Sequence, residues 1–159
     1  MKRKQKLIIV LASLMVVVLI ILSQTSFVKL STIKYRGYHE IAANIYLDNN
    51  CDMEMQEEVF NLLEQSCERL EGFWGTVESE PIIIFSDSQQ KLSKLNAGVN
   101  SALASTFVFG RARTYILVCI PKTDINILAH EMSHAEFHCR IYEGKYSNTP
   151  LVPMWFDEG

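Results

Sequence analysis

A helix near the end of the chain carries two histidines on one face, and this spacing constrains the fold strongly. The segment His130-Glu131-Met132-Ser133-His134 follows Thr123 and Asp124, either of which can cap a helix that runs to about residue 142. Because an α-helix advances about 100° per residue, His134 falls only about 40° around the helix from His130. A separate apolar stripe faces the core and consists of Ile125, Leu128, Met132, Ala135 and Cys139. The helix therefore needs a core on one side and keeps both imidazoles on another.

The pattern H-E-x-x-H on a helix is typical of a zinc site. Two histidines four residues apart can ligate one zinc ion. Glu131 lies about 100° around the helix from His130, where it can accept a proton from a water that zinc activates. The alternative is that both histidines are ordinary polar surface residues. A further charged residue of this helix, Glu136, is expected to be solvated. We expect His130 and His134 to bind zinc and Glu131 to be the general base.

A catalytic zinc also needs a third protein ligand and an open position for water. His138 lies on the same side of the helix, but it is about 12 Å further along the axis from His130, too far for one ion. The metzincin pattern requires a glycine and a third histidine, where this chain has Phe137 and Arg140. Neither of these routes supplies the third ligand, and the remaining candidate region is 155–159.

The segment Trp155-Phe156-Asp157-Glu158-Gly159 follows the histidine motif, and together they resemble the gluzincin metallopeptidases, the thermolysin-like and aminopeptidase-like clan. Many gluzincins place a W-x-x-E-G-type motif on a second helix, and its glutamate is the third zinc ligand. The resemblance covers roughly residues 80–159, and it implies that residues 105–109 form the edge strand along which a peptide or protein substrate lies. It assigns the zinc ligands and the catalytic glutamate to His130, His134, Glu158 and Glu131.

Two features of this chain differ from the gluzincin pattern. The interval from His134 to Glu158 is a few residues longer than in thermolysin-like enzymes, which a loop can absorb. The sequence also ends one residue after Glu158, whereas the second helix of the family continues and helps to bind substrate. We therefore expect an incomplete zincin-like metallopeptidase domain over residues 41–159. The alternative function is a catalytically inactive, anchored binding or structural module.

The N-terminus combines a basic cluster with a long apolar run. Four basic residues within the first six precede the run 7–22, in which Ser13 is the only polar residue. This pattern is typical of a signal peptide or an uncleaved membrane anchor, and no A-x-A-like cleavage site follows it. We expect residues 1–28 to be a cytoplasmic stub and an anchor, with residues 7–28 in the lipid bilayer. That predicts a single-pass cell-membrane protein with an extracytoplasmic domain, or a secreted protein if the segment is cleaved.

The rest of the chain is acidic and long enough for one domain. Residues 29–40 read as a polar, basic stalk, and the part after the anchor has about 130 residues. Without the N-terminal cluster, 11 basic residues face 18 acidic ones, a net charge of about −7, which disfavours nucleic acid as a partner. Disulfides and free thiols are both compatible with the cysteines, and no pairing can be deduced. These cysteines are Cys51, Cys67, Cys119 and Cys139.

The order of apolar and polar residues predicts an α+β fold, in which an N-terminal membrane helix precedes a small mixed sheet with an active-site helix of zincin type. The predicted strands cover residues 41–47, 82–85, 105–109 and 114–120, the last two forming a hairpin. An amphipathic helix at 52–74 and a short helix at 88–95 lie between them.

Overall fold

A computed structural model describes residues 11–18, 21, 24–96, 99, 103–109 and 113–143, with only the backbone described for 141–143. Within these residues the chain forms a five-stranded mixed sheet with helices on both faces, in agreement with the predicted α+β class. The strands are β1 (Tyr38–Ala42), β2 (Ile45–Asp48), β3 (Ile82–Ser86), β4 (Ala104–Phe109) and β5 (Arg113–Cys119). The described helices after residue 25 are α1 (Ser26–Ser31), α2 (Met53–Trp74), α3 (Gln89–Leu95) and α4 (Ile125–Glu143).

The sheet has a parallel centre and antiparallel borders. Its strand order is β1-β2-β3-β5-β4, with β2, β3 and β5 parallel to one another. Strand β1 pairs antiparallel with β2, and β4 pairs antiparallel with β5. Because the central strands are covered on both faces, they are almost continuously apolar, as in Ile82-Ile83-Ile84-Phe85. Strand β4 is the last strand in this order, so it lies at the border of the sheet, where the predicted edge strand is expected.

Two hydrophobic clusters hold the layers together. On one face, Ile83 and Phe85 of β3 pack in the same cluster as α2 and α4. On the other face, Ile84 of β3 packs in a cluster with α1 and α3. Helices α2 and α4 also contact each other through a hydrogen bond from the Ser66 hydroxyl to the Ile125 carbonyl (3.3 Å). The histidine-bearing helix is thus supported by both the sheet and α2.

The predicted strand at 41–47 is wrong in detail, because the chain forms a hairpin there. Strands β1 and β2 are joined by Ala43-Asn44. Asn44 has a φ of 62°, in the left-handed region that asparagine tolerates better than most residues. Because the turn contains no glycine, the sequence carries only a weak signal for it.

The predicted N-terminal membrane helix is also wrong. Residues 11–18 are helical, but none of the helices in the described part of the chain has the length and apolar character that crossing a bilayer requires. Thr25 caps the start of α1, because its hydroxyl accepts a hydrogen bond from the Val28 amide (3.4 Å). Residues 1–10, 19–20 and 22–23 of the predicted anchor lie outside the described residues.

The segment that was expected to be a stalk, residues 29–40, makes contacts with the sheet. Leu30 and Ile33 are 1% and 3% exposed and belong to the cluster that α3 shares with the sheet. Tyr38 begins strand β1 and is also buried. These side chains are part of the core that supports the face of the sheet opposite α4.

Candidate functional site

Helix α4 is positioned by the cap and the apolar stripe that its sequence predicts. The Asp124 carboxylate accepts hydrogen bonds from the amides of Asn126 (2.8 Å) and Ile127 (2.9 Å), which begins the helix. Leu128, Met132 and Ala135 are buried in the cluster that α4 shares with α2 and the sheet. Because these three side chains face the core, the histidines between them are turned away from it.

The two histidines meet on the outer side of α4. Their Nε2 atoms are 3.0 Å apart and their ring centroids are 4.5 Å apart, with an angle of 82° between the ring planes. Two nitrogens on one tetrahedral zinc, each about 2.0–2.1 Å from the ion, would be about 3.3–3.4 Å apart. The observed distance is about 0.3–0.4 Å shorter than this and is that of a hydrogen bond between a protonated and an unprotonated imidazole nitrogen, so the two rings need only a small separation to share one ion. His130 is exposed and His134 half-buried, so the pair of nitrogen donors fits a zinc ion that remains accessible from solvent.

Glu131 is held between α4 and the border of the sheet. Its Oε2 atom lies 2.6 Å from the hydroxyl of Thr106, the third residue of β4, and its carbonyl oxygen lies 3.0 Å from the same hydroxyl. Thr106 is not among the residues that the sequence predicts for the site. Its position in the predicted edge strand is the only signal, and that position does not reveal which residue of α4 it contacts.

Glu136 is not the solvated charge that the sequence predicts. It is 0% exposed, and its carboxylate accepts hydrogen bonds from the amides of Glu78 (3.0 Å) and Ser79 (2.8 Å). The Arg140 guanidinium donates to the same carboxylate at 2.6 Å. Burial alone would raise the pKa of Glu136, but these donors outweigh it and hold the pKa below its ordinary value.

Arg140 extends this buried contact to the loop that precedes β3. Its Nη2 atom donates to the Thr76 carbonyl at 2.6 Å, and its guanidinium lies 5.1 Å from the centroid of the Trp74 ring. We call Glu136 and Arg140, with the loop residues 76–79 that they bind, the clamp. The clamp ties the second half of α4 to the end of α2, and so it supports the helix that carries the histidines.

A second cluster of charges lies at the carboxyl ends of β2 and β3. Lys91 is 2.8 Å from both Asp48 and Asp87, and the Ser86 hydroxyl donates to Asp48 at 3.0 Å. Burial raises the pKa of the neighbouring Cys51 thiol to about 11, so this thiol is protonated at neutral pH. The four cysteines, all of them among the described residues, form no disulfide bonds. These charges pair with one another and so connect α3 to the carboxyl ends of the two strands.

The predicted site is only partly within the described residues. Glu158 and the segment 155–159 lie outside them. Among the residues described, there is no group of three or more histidine, cysteine, aspartate or glutamate side chains arranged to hold a metal ion. The structure thus brings His130 and His134 together, and separately it brings the neighbouring Glu131 together with Thr106.

Comparison with known proteins adds no relative. No protein-family model matches the chain, and no curated protein or solved structure matches it. The resemblance to gluzincins therefore depends on the two sequence motifs alone. The chemistry of the site has to be argued from its own side chains.

Proposed function

We propose that this protein is a zinc-dependent peptidase. His130 and His134 bind the metal, Glu158 completes the ligand set and Glu131 is the general base. The observation that carries the proposal is the approach of the two Nε2 atoms to 3.0 Å on the exposed side of α4. The residue that follows His130 is Glu131, whose carboxylate is held at the border of the sheet. The gluzincin resemblance of the two motifs supports the same ligand set.

The donors suit zinc better than other common ions. Imidazole nitrogens bind zinc well, whereas calcium and magnesium prefer oxygen ligands. Both histidines lie on a helix whose opposite side is packed against α2 and the sheet, so the backbone that carries them is held in place without a metal. When bound, zinc supplies Lewis acidity that polarises a carbonyl and activates water.

The side chains of the protein supply the proton transfers. Glu131 accepts a proton from the attacking water as the new carbon–oxygen bond forms. It then gives this proton to the amide nitrogen as the carbon–nitrogen bond breaks, which leaves a carboxylate and an amine. A carboxylate has two acceptor oxygens, and the Thr106 hydroxyl contacts Oε2, so Oε1 of this half-exposed side chain can face the attacking water.

Strand β4 supplies a surface for an extended peptide. It is the last strand in the sheet order, and its residues 104–109 carry no charge. An extended peptide can add to such a strand through main-chain hydrogen bonds. Because Thr106 of this strand contacts Glu131, a peptide added there would pass close to the general base.

The proposal is tested by measuring bound zinc and peptide cleavage with Glu131→Gln. The purified chain should bind one zinc, and the variant should keep that zinc while cleavage of a diverse peptide library falls about 10²–10⁴-fold. Glu58→Gln, at an exposed position on α2, is the matched control and should cleave like the wild type. Full activity of Glu131→Gln would contradict the proposal.

Zinc content also separates the enzyme from its alternative. His130→Ala and His134→Ala should each lose the metal, whereas His138→Gln should retain it, because His138 lies about 6 Å beyond His134 along the helix axis. Stoichiometric zinc without cleavage of any peptide would favour the non-catalytic binding module. Absence of zinc from the intact wild-type chain would contradict the peptidase and would favour a binding or structural module that needs no metal.

A further inference from the structure

The hydroxyl of Thr106 lies within hydrogen-bonding distance of two oxygens of Glu131. Its Oγ1 atom is 2.6 Å from Glu131 Oε2 and 3.0 Å from the Glu131 carbonyl oxygen. A hydroxyl has one proton and can donate it to only one of these oxygens at a time. The carboxylate is charged and closer, and hydrogen bonds to charged acceptors are the stronger kind. The hydroxyl therefore acts mainly on the carboxylate.

The sheet determines the direction of the Thr106 side chain. Thr106 is paired with Ile116 of β5, which is 0% exposed and belongs to the cluster that packs against α4. Paired residues on adjacent strands point to the same face, so Thr106 also points towards α4. Its neighbour Phe107 packs in the cluster on the opposite face. The hydroxyl is thus held in place by the sheet.

We propose that Thr106 is a positioning residue, which holds the Glu131 carboxylate in the orientation that proton transfer needs. This inference rests on the proposed function. A half-exposed glutamate has three rotatable side-chain bonds and samples several rotamers. A hydrogen bond to a residue of the sheet removes most of that freedom and keeps the carboxylate at the border between α4 and β4.

The hydrogen bond also distinguishes the two carboxylate oxygens. Thr106 binds Oε2, and this leaves Oε1 to accept the proton from water and return it to the departing amine nitrogen. Thr106 keeps its own proton throughout, so it changes the geometry of the step and not its stoichiometry. Removal of the hydroxyl should therefore reduce kcat and leave zinc binding intact.

The experiment compares Thr106→Val and Thr106→Ala, which lack the hydroxyl, with Thr106→Ser, which retains it. The matched control is Thr114→Val, in the adjacent strand β5 and on the same face of the sheet. Without the hydroxyl, kcat should fall about 10–100-fold, since misplacement of a reacting group by about 1 Å has an effect of that size. KM should change by less than about threefold, because the lost interaction acts on the chemical step. Thr106→Ser and Thr114→Val should keep kcat and zinc near the wild-type values.

Two outcomes would overturn the inference and leave the proposed function standing. One is an active wild type whose kcat is matched by both variants that lack the hydroxyl. The other is an equal loss in Thr106→Ser, which would indicate a role for the shape of the side chain and not for the hydroxyl. A wild type that neither binds zinc nor cleaves peptides would instead refute the proposed function. The alanine variant serves for comparison if the valine variant does not fold.

A double variant provides an independent check of the same pair. In a Glu131→Gln background, Thr106→Val should reduce the residual rate by less than about threefold, because the group that Thr106 positions is already disabled. If Thr106→Val reduces kcat by the same factor with and without Glu131, then Thr106 acts on another part of the site and the inference is wrong.

Discussion

Glu131 and Glu136 lie on the same helix, and yet their carboxylates have opposite surroundings. Glu131 is half-exposed and its side chain is bonded to one hydroxyl, on Thr106. Glu136 is fully buried and is bonded to two backbone amides and a guanidinium. The number of donors separates the two carboxylates. Glu136 is surrounded by donors and is held as a buried anion, whereas Glu131 has one side-chain donor and remains partly accessible to solvent.

The difference between the two carboxylates should have its largest effect on the free energy of unfolding. Glu136→Gln should lower the free energy of unfolding by about 3–5 kcal/mol, because Arg140 then loses its buried partner and an amide group faces two backbone N–H donors. Glu131→Gln should change it by less than about 1 kcal/mol. Denaturation in urea, followed by circular dichroism, measures both values. Equal losses in the two variants would show that the carboxylates do not differ in the way described.

A smaller effect is expected at the other half of the clamp. Arg140→Met should lower the free energy of unfolding by about 1.5–3 kcal/mol. Glu136 keeps its two amide donors, but the Thr76 carbonyl loses the guanidinium that donates to it. Arg140→Lys should lose less than the methionine variant, because an ammonium keeps the charge but cannot bridge both acceptors. The control is Arg69→Met, at an exposed position on α2, and it should be within about 0.5 kcal/mol of wild type. An equal loss in the control would indicate a general effect of charge.

The smallest effect is the contribution of Glu136 to the pH dependence of stability. The pKa of Glu136 is lowered in the folded state, so its stabilising effect is complete above the unfolded value of about 4.3. That effect is lost as the pH falls from there through the folded pKa, by about 1.4 kcal/mol for each unit of lowering. Glu136→Gln should therefore lose less stability than wild type between neutral pH and the acid range.

The same titration has an internal control. Burial would raise the pKa of Asp48, but Lys91 and the other donors hold it below its ordinary value, so Asp48 adds an acid-dependent loss to both proteins. The free energy of unfolding of both proteins is measured by urea denaturation at a series of pH values. The difference between the two pH profiles then gives the contribution of Glu136. Parallel curves would contradict the role of Glu136 as a stabilising buried anion.

The sequence predicts the parts of this site that depend on local spacing. The cap at Asp124, the buried stripe through Leu128, Met132 and Ala135, and the shared face of the two histidines all follow from helical periodicity. The predicted bounds also agree within one or two residues with the observed ones for the helices at 53–74 and 89–95 and for the hairpin of β4 and β5. Each of these features needs only residues that are close in the sequence.

The features that the sequence does not predict depend on distant residues. Glu136 looks like a solvated charge until the amides of Glu78 and Ser79, almost 60 positions earlier, are placed against it. Thr106 and Glu131 are likewise joined only by the packing of α4 on β4. Ser66 shows the same limit, because it is fully buried on a helix where the larger Phe60 is 40% exposed. A pattern of polarity cannot show which polar groups find partners in the folded chain.

The two borders of the sheet carry different risks of self-association. Strand β1 contains Glu40, which pairs with Lys34, and an irregularity lies between Glu40 and Ala42; charge and irregular pairing both discourage the addition of foreign strands. Strand β4 is regular and uncharged, and among the described residues no strand pairs with its outer side. A border that can pair with any extended backbone does not distinguish a peptide from a second copy of the chain. Self-association through β4 would therefore compete with the addition of a peptide, and the competition would grow with protein concentration.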